Sequence, residues 1–82
     1  MSKPIMLITG GSRGIGAATA LGAAARGYRV ALSYLGNVAA ANEIVQKIQH
    51  MGGEAIAIQA DVGVEADVLR LFKTVDEKMG TI

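Results

Sequence analysis

Eight residues, Thr9-Gly10-Gly11-Ser12-Arg13-Gly14-Ile15-Gly16, restrict what this chain can fold into more than any others. They follow an apolar run, Ile5-Met6-Leu7-Ile8, and open an Ala-rich run from Ala17 to Arg26. A continuous apolar run bounded by Pro4 and Thr9-Gly10 suits a parallel strand buried on both faces. Pro4 lies just before it, where a missing donor costs little. A helix is expected over about Gly14–Arg26, built mostly of alanine and glycine, so that it can lie close against a sheet. Arg26-Gly27 closes it with a cation in the last turn and a glycine beyond.

Strand, glycine turn and helix is the context in which a glycine pattern becomes an anion site. Glycine lets the backbone approach a ligand without a Cβ and tolerates positive φ. The helix that follows begins with unpaired N–H groups and partial positive charge. Together these hold a phosphate. The spacing is Gly-x-x-x-Gly-x-Gly (Gly10, Gly14, Gly16), distinct from the Gly-x-Gly-x-x-Gly of the general dinucleotide fingerprint. It is not a P-loop either: Ala17 and Ala18 stand where Lys and Ser/Thr would be needed after Gly11 and Gly16.

The rest of the chain repeats the alternation. Arg29 to Tyr34 reads as a second strand, and Gly36-Asn37 turns the chain, with Asn37 available to cap the next helix. Val38, Ala41, Ile44, Val45, Ile48 and Met51 fall on one helical face, ended by Gly52-Gly53. Ala55 to Ile58 reads as a third strand and Asp61-Val62-Gly63 as a loop. A last helix, about Val64–Met79, places Val68, Leu71, Phe72, Val75 and Met79 together. The expected fold class is therefore α/β: a βαβαβα chain with a parallel sheet and right-handed crossovers.

Thr-Gly-Gly-Ser-Arg-Gly-Ile-Gly after a first apolar strand resembles the coenzyme loop of the short-chain dehydrogenase/reductase family. The likeness extends through the second strand, Asp61 and the last helix, toward members of the 3-oxoacyl-acyl-carrier-protein reductase and glucose dehydrogenase kind. It covers essentially all 82 residues, but only about the first third of a typical member. It implies a Rossmann-like, doubly wound sheet with strand order 3-2-1, residues 1–82 forming the N-terminal half of an NAD(P)-binding domain. The dinucleotide crevice of such a sheet lies between the first and fourth strands. No fourth strand is readable here, so the first strand would be an open edge. The expectation is a truncated chain, or one piece of a larger assembly.

The resemblance also assigns candidate residues. Gly10, Gly11, Ser12, Arg13, Gly14, Ile15 and Gly16 would cradle the phosphates. An NAD-preferring site places Asp or Glu at the end of the second strand, about 20 residues past the loop, against the ribose 2′-OH. That position is Tyr34, and Leu35, Gly36 and Asn37 are not acidic either. Without a carboxylate there, a 2′-phosphate is tolerated, and in similar family members an arginine at the Arg13 place pairs with it. A second basic residue often follows that strand, and Leu35 fills its place here. NADP(H) is thus favoured, with NAD(H) still open. Asp61 would accept from the adenine amino group, and the Val62 N–H would reach a ring nitrogen. Tyr34 and Asn37 complete the candidate set. The plain alternatives are a solvated charge at Arg13, a strand-end aromatic at Tyr34 and a turn carboxylate at Asp61.

The family's catalytic Tyr-x-x-x-Lys pair is not present. Leu32 stands four residues after Tyr28, and Val38 four after Tyr34. No catalytic residue is assigned, and the 82-residue chain alone is expected to be inactive. The function expected of the complete enzyme is hydride transfer between the nicotinamide cofactor and a small carbonyl or alcohol substrate, in a homo-oligomer, tetramer or dimer. The alternative is a non-catalytic nucleotide-binding or regulatory module that pairs with a partner chain through the open strand.

Composition narrows the remaining classes. A net charge of +1 gives no electrostatic case for nucleic acid or an acidic membrane surface. With 51% apolar residues the chain is expected to fold. Cysteine is absent, so disulfides and thiolate metal sites are excluded. No cluster has metal-ligand spacing. The N-terminal apolar run is too short for a signal core or a membrane span, so a cytoplasmic protein is expected. His50, Glu65, Asp67, Asp76, Glu77 and Lys78 read as solvated helix charges.

Overall fold

The computed structural model describes residues 3–10 and 14–80. The elements run β1 (Ile5–Ile8), α1 (Gly14–Ala25), β2 (Arg29–Tyr34), α2 (Val38–His50), β3 (Ala55–Gln59) and α3 (Glu65–Met79). The strands form one parallel sheet in the order β1-β2-β3, which is the expected 3-2-1 read from the other edge. The register sets Leu7 beside Ala31 and Ser33 beside Ile58. Among the described residues, β1 pairs on one side only, with β2.

Helices cover both faces, as a doubly wound sheet requires. Strand side chains alternate between faces. Ile8, Val30, Leu32 and Ala55 enter one core with Ala20 and Ala23 of α1 and Ala41, Ile44 and Ile48 of α2. Ile5, Ala31 and Ile58 enter a second core with Leu71, Val75 and Met79 of α3. Both neighbouring layers therefore need apolar partners from every strand position, and this is why β1 is an unbroken apolar run. Leu32, Ile48, Leu71, Val30 and Val75 are fully buried, and each contributes roughly 1.5–3 kcal/mol by leaving water.

Glycines end α1 and α2 in the same way. Gly27 has φ 93°, its N–H reaches the Ala24 carbonyl at 3.0 Å, and the Tyr28 N–H reaches Ala23 at 3.0 Å. Gly52 has φ 84°, with Gly52 bonded to Gln49 and Gly53 to Ile48, both at 2.9 Å. This is the Schellman arrangement, in which the two residues after the cap satisfy orphan carbonyls. At its start α2 is capped as expected: Asn37 Oδ1 accepts from the Ala40 N–H at 3.0 Å.

Arg29 fastens the amino-terminal edge of the sheet. Its Nε donates to the Lys3 carbonyl at 3.1 Å and its Nη1 to the Met79 carbonyl at 2.7 Å. Glu54 lies 3.7 Å from Nη1. One side chain thus ties the approach to β1 and the end of α3 to β2.

The boundaries differ from the sequence expectation in small ways with clear causes. α1 stops at Ala25 because Arg26 already belongs to the closing turn. Val64 caps α3 instead of opening it, and β3 continues to Gln59, which pairs with Tyr34. The buried face of α2 is narrower than its periodicity suggests, since Val38 and Met51 are 50% and 51% exposed at its two ends. Phe72, expected in the core, is also 50% exposed, because Leu71 and Val75 already fill the contact with the sheet.

A Cβ at Gly53 would lie 2.8 Å from Ile48 Cγ2 and 3.2 Å from the Ile48 carbonyl oxygen. Gly22, inside α1, has open space around it. Urea denaturation should therefore separate two identical chemical changes. Gly53→Ala is expected to destabilise by about 1–3 kcal/mol, and Gly22→Ala to stabilise by about 0.5–1 kcal/mol. Equal midpoints for the two variants would contradict this packing.

Candidate functional site

A parallel sheet brings the carboxyl ends of all its strands to one edge. Here that edge carries a small pocket of about 100 Å³ enclosed by Gly10, Ser33, Tyr34, Leu35, Ala60, Asp61 and Val62. Four of the sequence candidates, Gly10, Tyr34, Asp61 and Val62, are thereby brought together from three different strands.

Gly10, just beyond β1, has φ 68°, and Gly14, at the start of α1, has φ 49°. Both lie in the left-handed region, where a side chain would be strained. Gly11, Ser12 and Arg13 lie outside the described residues. Ile15 is 88% exposed at the amino end of α1, and Gly16 is half-buried in its first turn. The glycine turn is tied to β2, since the Gly10 N–H donates to Ser33 Oγ at 3.3 Å. Ser33 is buried and polar in an otherwise apolar stretch of strand. Nothing in the residue spacing assigns it a role, and a lone serine between Val30-Ala31-Leu32 and Tyr34 is the available signal.

Asp61 opens a tight turn. Its Oδ1 accepts from the Gly63 N–H at 2.9 Å, and its carbonyl accepts from the Val64 N–H at 2.9 Å. The plain reading of a turn carboxylate is thus correct for one oxygen. Among the described residues, Oδ2 of Asp61 and the N–H of Val62 make no hydrogen bond. The turn consumes one acceptor and leaves an acceptor and a donor on consecutive residues of the pocket wall.

Tyr34 is half-buried and packs its ring against the core under α1 and α2 while lining the pocket. It is a strand-end aromatic and a wall at once. Asn37 is exposed, outside the pocket lining, and its Oδ1 is committed to the α2 cap. Only its side-chain amide remains for another partner.

Asp67 departs from the expected solvated helix charge, and Arg70 stands beside it on α3. Asp67 Oδ2 accepts from the Asp61 N–H at 2.8 Å, and its side chain is 30% exposed. Arg70 Nη2 donates to the Gln59 carbonyl, and Gln59 Nε2 donates to the Leu35 carbonyl at 3.1 Å. Asp67 and Arg70 are three residues apart on α3, but nothing periodic ties them to Asp61, Gln59 or Leu35, so helical spacing alone does not reveal these contacts.

A second, wider cleft of about 730 Å³ opens at the opposite end of the sheet, lined among others by Lys3, Gly27, Arg29, Gly52 and Glu54. It sits at the carboxyl ends of α1 and α2, where helix carbonyls carry partial negative charge. An anionic ligand is disfavoured there and favoured at the amino end of α1. Among the described residues no group of acidic, histidine or cysteine side chains could hold a metal ion. No described helix is long and apolar enough to cross a membrane.

The chain is similar to known proteins in sequence and in fold. Residues 4–82 match the family described as short chain dehydrogenase. A relative named uncharacterized oxidoreductase YgfF, from Escherichia coli K12, is 48% identical over 73 residues, covering 89% of this chain and 30% of its own length. A 3-oxoacyl-[acyl-carrier-protein] reductase from Synechocystis is 44% identical over 82 residues, all of this chain and 33% of its own. A crystal structure of a short chain dehydrogenase from Burkholderia cenocepacia in complex with NADP superposes with TM-score 0.90 at 42% identity, over 98% of this chain and 32% of that one. The chain therefore spans about a third of the length of these relatives.

The bond from Gly10 to Ser33 should be measurable. Ser33→Ala leaves the Gly10 N–H without its acceptor, and the expected loss of stability is about 0.5–1.5 kcal/mol. Amide exchange at Gly10 should quicken while exchange in β3 shifts only by the global change. Unchanged protection at Gly10 would remove Ser33 from the account.

Proposed function

Because this chain belongs to the short chain dehydrogenase family, we propose that it supplies the coenzyme-binding half of an NADP(H)-dependent oxidoreductase. The complete protein would move hydride between the nicotinamide and a carbonyl or alcohol, and residues 1–82 would form the amino-terminal half of its dinucleotide-binding domain. The observation that carries this reading is the convergence of Gly10, Tyr34, Asp61 and Val62 on one pocket at the carboxyl edge of the sheet.

The residues present fit such a coenzyme. Open backbone at Gly10 and Gly14, next to the amino end of α1, suits a pyrophosphate. The unused Asp61 Oδ2 and Val62 N–H offer an acceptor and a donor, which is what the amino group and ring nitrogen of adenine require. Tyr34, where an NAD-specific site would place a carboxylate, does not repel a 2′-phosphate. Arg13, in the glycine loop by sequence, would bring the cation that pairs with it. Asn37 would border the ribose through its side-chain amide, and Gly11, Ser12, Ile15 and Gly16 complete the phosphate loop. When bound, the nicotinamide supplies or accepts the hydride. This chain's residues bind and orient the coenzyme and hold none of the acid–base groups of the reaction. The Burkholderia cenocepacia relative, crystallised with NADP, supports the choice of coenzyme. A cytoplasmic homo-oligomer is the setting proposed for the complete protein.

Binding of the two coenzymes tests the reading. Fluorescence titration should show NADPH bound more tightly than NADH. Arg13→Ala should weaken NADPH about tenfold or more, as loss of a charge-assisted bond implies, and leave NADH within about twofold. Equal loss for both coenzymes would place Arg13 away from the 2′-phosphate. Absence of NADPH binding by the unsubstituted protein would refute the reading itself.

A further inference from the structure

The proposed adenine contact depends on a turn that is held from behind by α3, through residues that do not themselves line the pocket. α3 lacks a side-chain cap: Val64 occupies the cap position and makes no such bond. Asp67, three residues on, is where a capping-box side chain would reach back to the cap N–H. It reaches further instead, to the Asp61 N–H at 2.8 Å. Arg70 stands one turn on, 3.8 Å from the same oxygen, and its guanidinium also donates to the Gln59 carbonyl at the end of β3.

Asp61 is thereby fixed at three points. Its N–H is held by Asp67, its Oδ1 by Gly63 and its carbonyl by Val64. What remains mobile in a free loop, the rotation about the Asp61 backbone and its χ1, is set. The two groups left over, Oδ2 and the Val62 N–H, then keep a constant relation to each other.

We infer that Asp67, steadied by Arg70, is the positioning residue that aligns Asp61 and Val62 to read the edge of an adenine ring. The inference rests on the nucleotide reading above and adds to it the device that makes the turn selective. Asp67 itself does not line the pocket. Its effect passes through the Asp61 backbone. Adenine presents an amino donor beside a ring-nitrogen acceptor. Hypoxanthine presents a carbonyl acceptor beside a ring N–H donor. The aligned pair at residues 61 and 62 accepts the first pattern and opposes the second.

The test compares binding of NADPH with binding of its hypoxanthine analogue, reduced nicotinamide hypoxanthine dinucleotide phosphate. The ratio of the two affinities is the readout. A merely structural role for Asp67 would weaken both ligands alike and leave the ratio in place. The unsubstituted protein should prefer NADPH by about tenfold, the scale of a mispaired polar edge. Asp67→Ala should reduce that preference to below about twofold. Asp67→Asn, which keeps an oxygen acceptor for the Asp61 N–H, should retain most of it. Should Asp67→Ala fail to fold, Asp67→Glu keeps the charge but displaces the acceptor by one methylene, and the same fall in ratio is expected. A preference that survives Asp67→Ala or Asp67→Glu overturns the inference and leaves the nucleotide reading standing. So does an Asn variant that loses the preference as fully as Ala, or an unsubstituted protein that binds both ligands equally. Failure of the unsubstituted protein to bind either ligand overturns the nucleotide reading, and this inference with it, before any substitution is made.

Discussion

The structure depends on β2. It hydrogen-bonds to β1 on one side and β3 on the other, and Val30, Ala31, Leu32 and Ser33 are essentially inaccessible to water. A strand so enclosed fixes the register of its neighbours, because a slip by one residue would turn every side chain to the wrong core. The register in turn decides what meets at the carboxyl edge. Leu32 lies beside Ile8, which brings Gly10 within reach of Ser33, and Tyr34 lies beside Gln59, which brings the turn at Asp61 alongside. The pocket is a consequence of parallel pairing in one register.

The two ends of the sheet are therefore chemically unlike. The carboxyl edge gathers left-handed glycines, the start of α1 and the Asp61 turn. The amino edge gathers the Schellman turns of α1 and α2 and the Arg29 latch. The wider cleft is at the second end, yet its helix termini present carbonyls, and its arginine is already occupied by Lys3, Met79 and Glu54. Size and chemistry point in opposite directions, and the chemistry of helix termini decides for a phosphate.

Much of this was legible from residue order. The unbroken apolar run at Ile5–Ile8, the small residues of α1 and the glycines at 27, 52 and 80 state a doubly wound sheet almost directly. Asn37 was legible as a cap because its chemistry is local. Burial along a helix face was not, as Val38 and Met51 at the two ends of α2 and Phe72 in the middle of α3 show: a periodic position is apolar-compatible whether or not a neighbour covers it. The polar supports of the site were hidden for a different reason. Ser33 bonds across 23 residues to Gly10, and Gln59 across 24 to Leu35. Asp67 is six residues from Asp61, across a turn that leads into α3, where no single helix or strand period applies. Such contacts exist only once three strand ends share an edge.

The most direct measurement is an amide chemical-shift map of the isotopically labelled protein titrated with NADPH. The largest changes are expected on Gly10, Ser33, Leu35, Asp61, Val62 and the first turn of α1, with Gly27, Arg29, Gly52 and Gly53 unmoved. Changes centred on that second group would put the ligand at the amino edge of the sheet and contradict the assignment of the site.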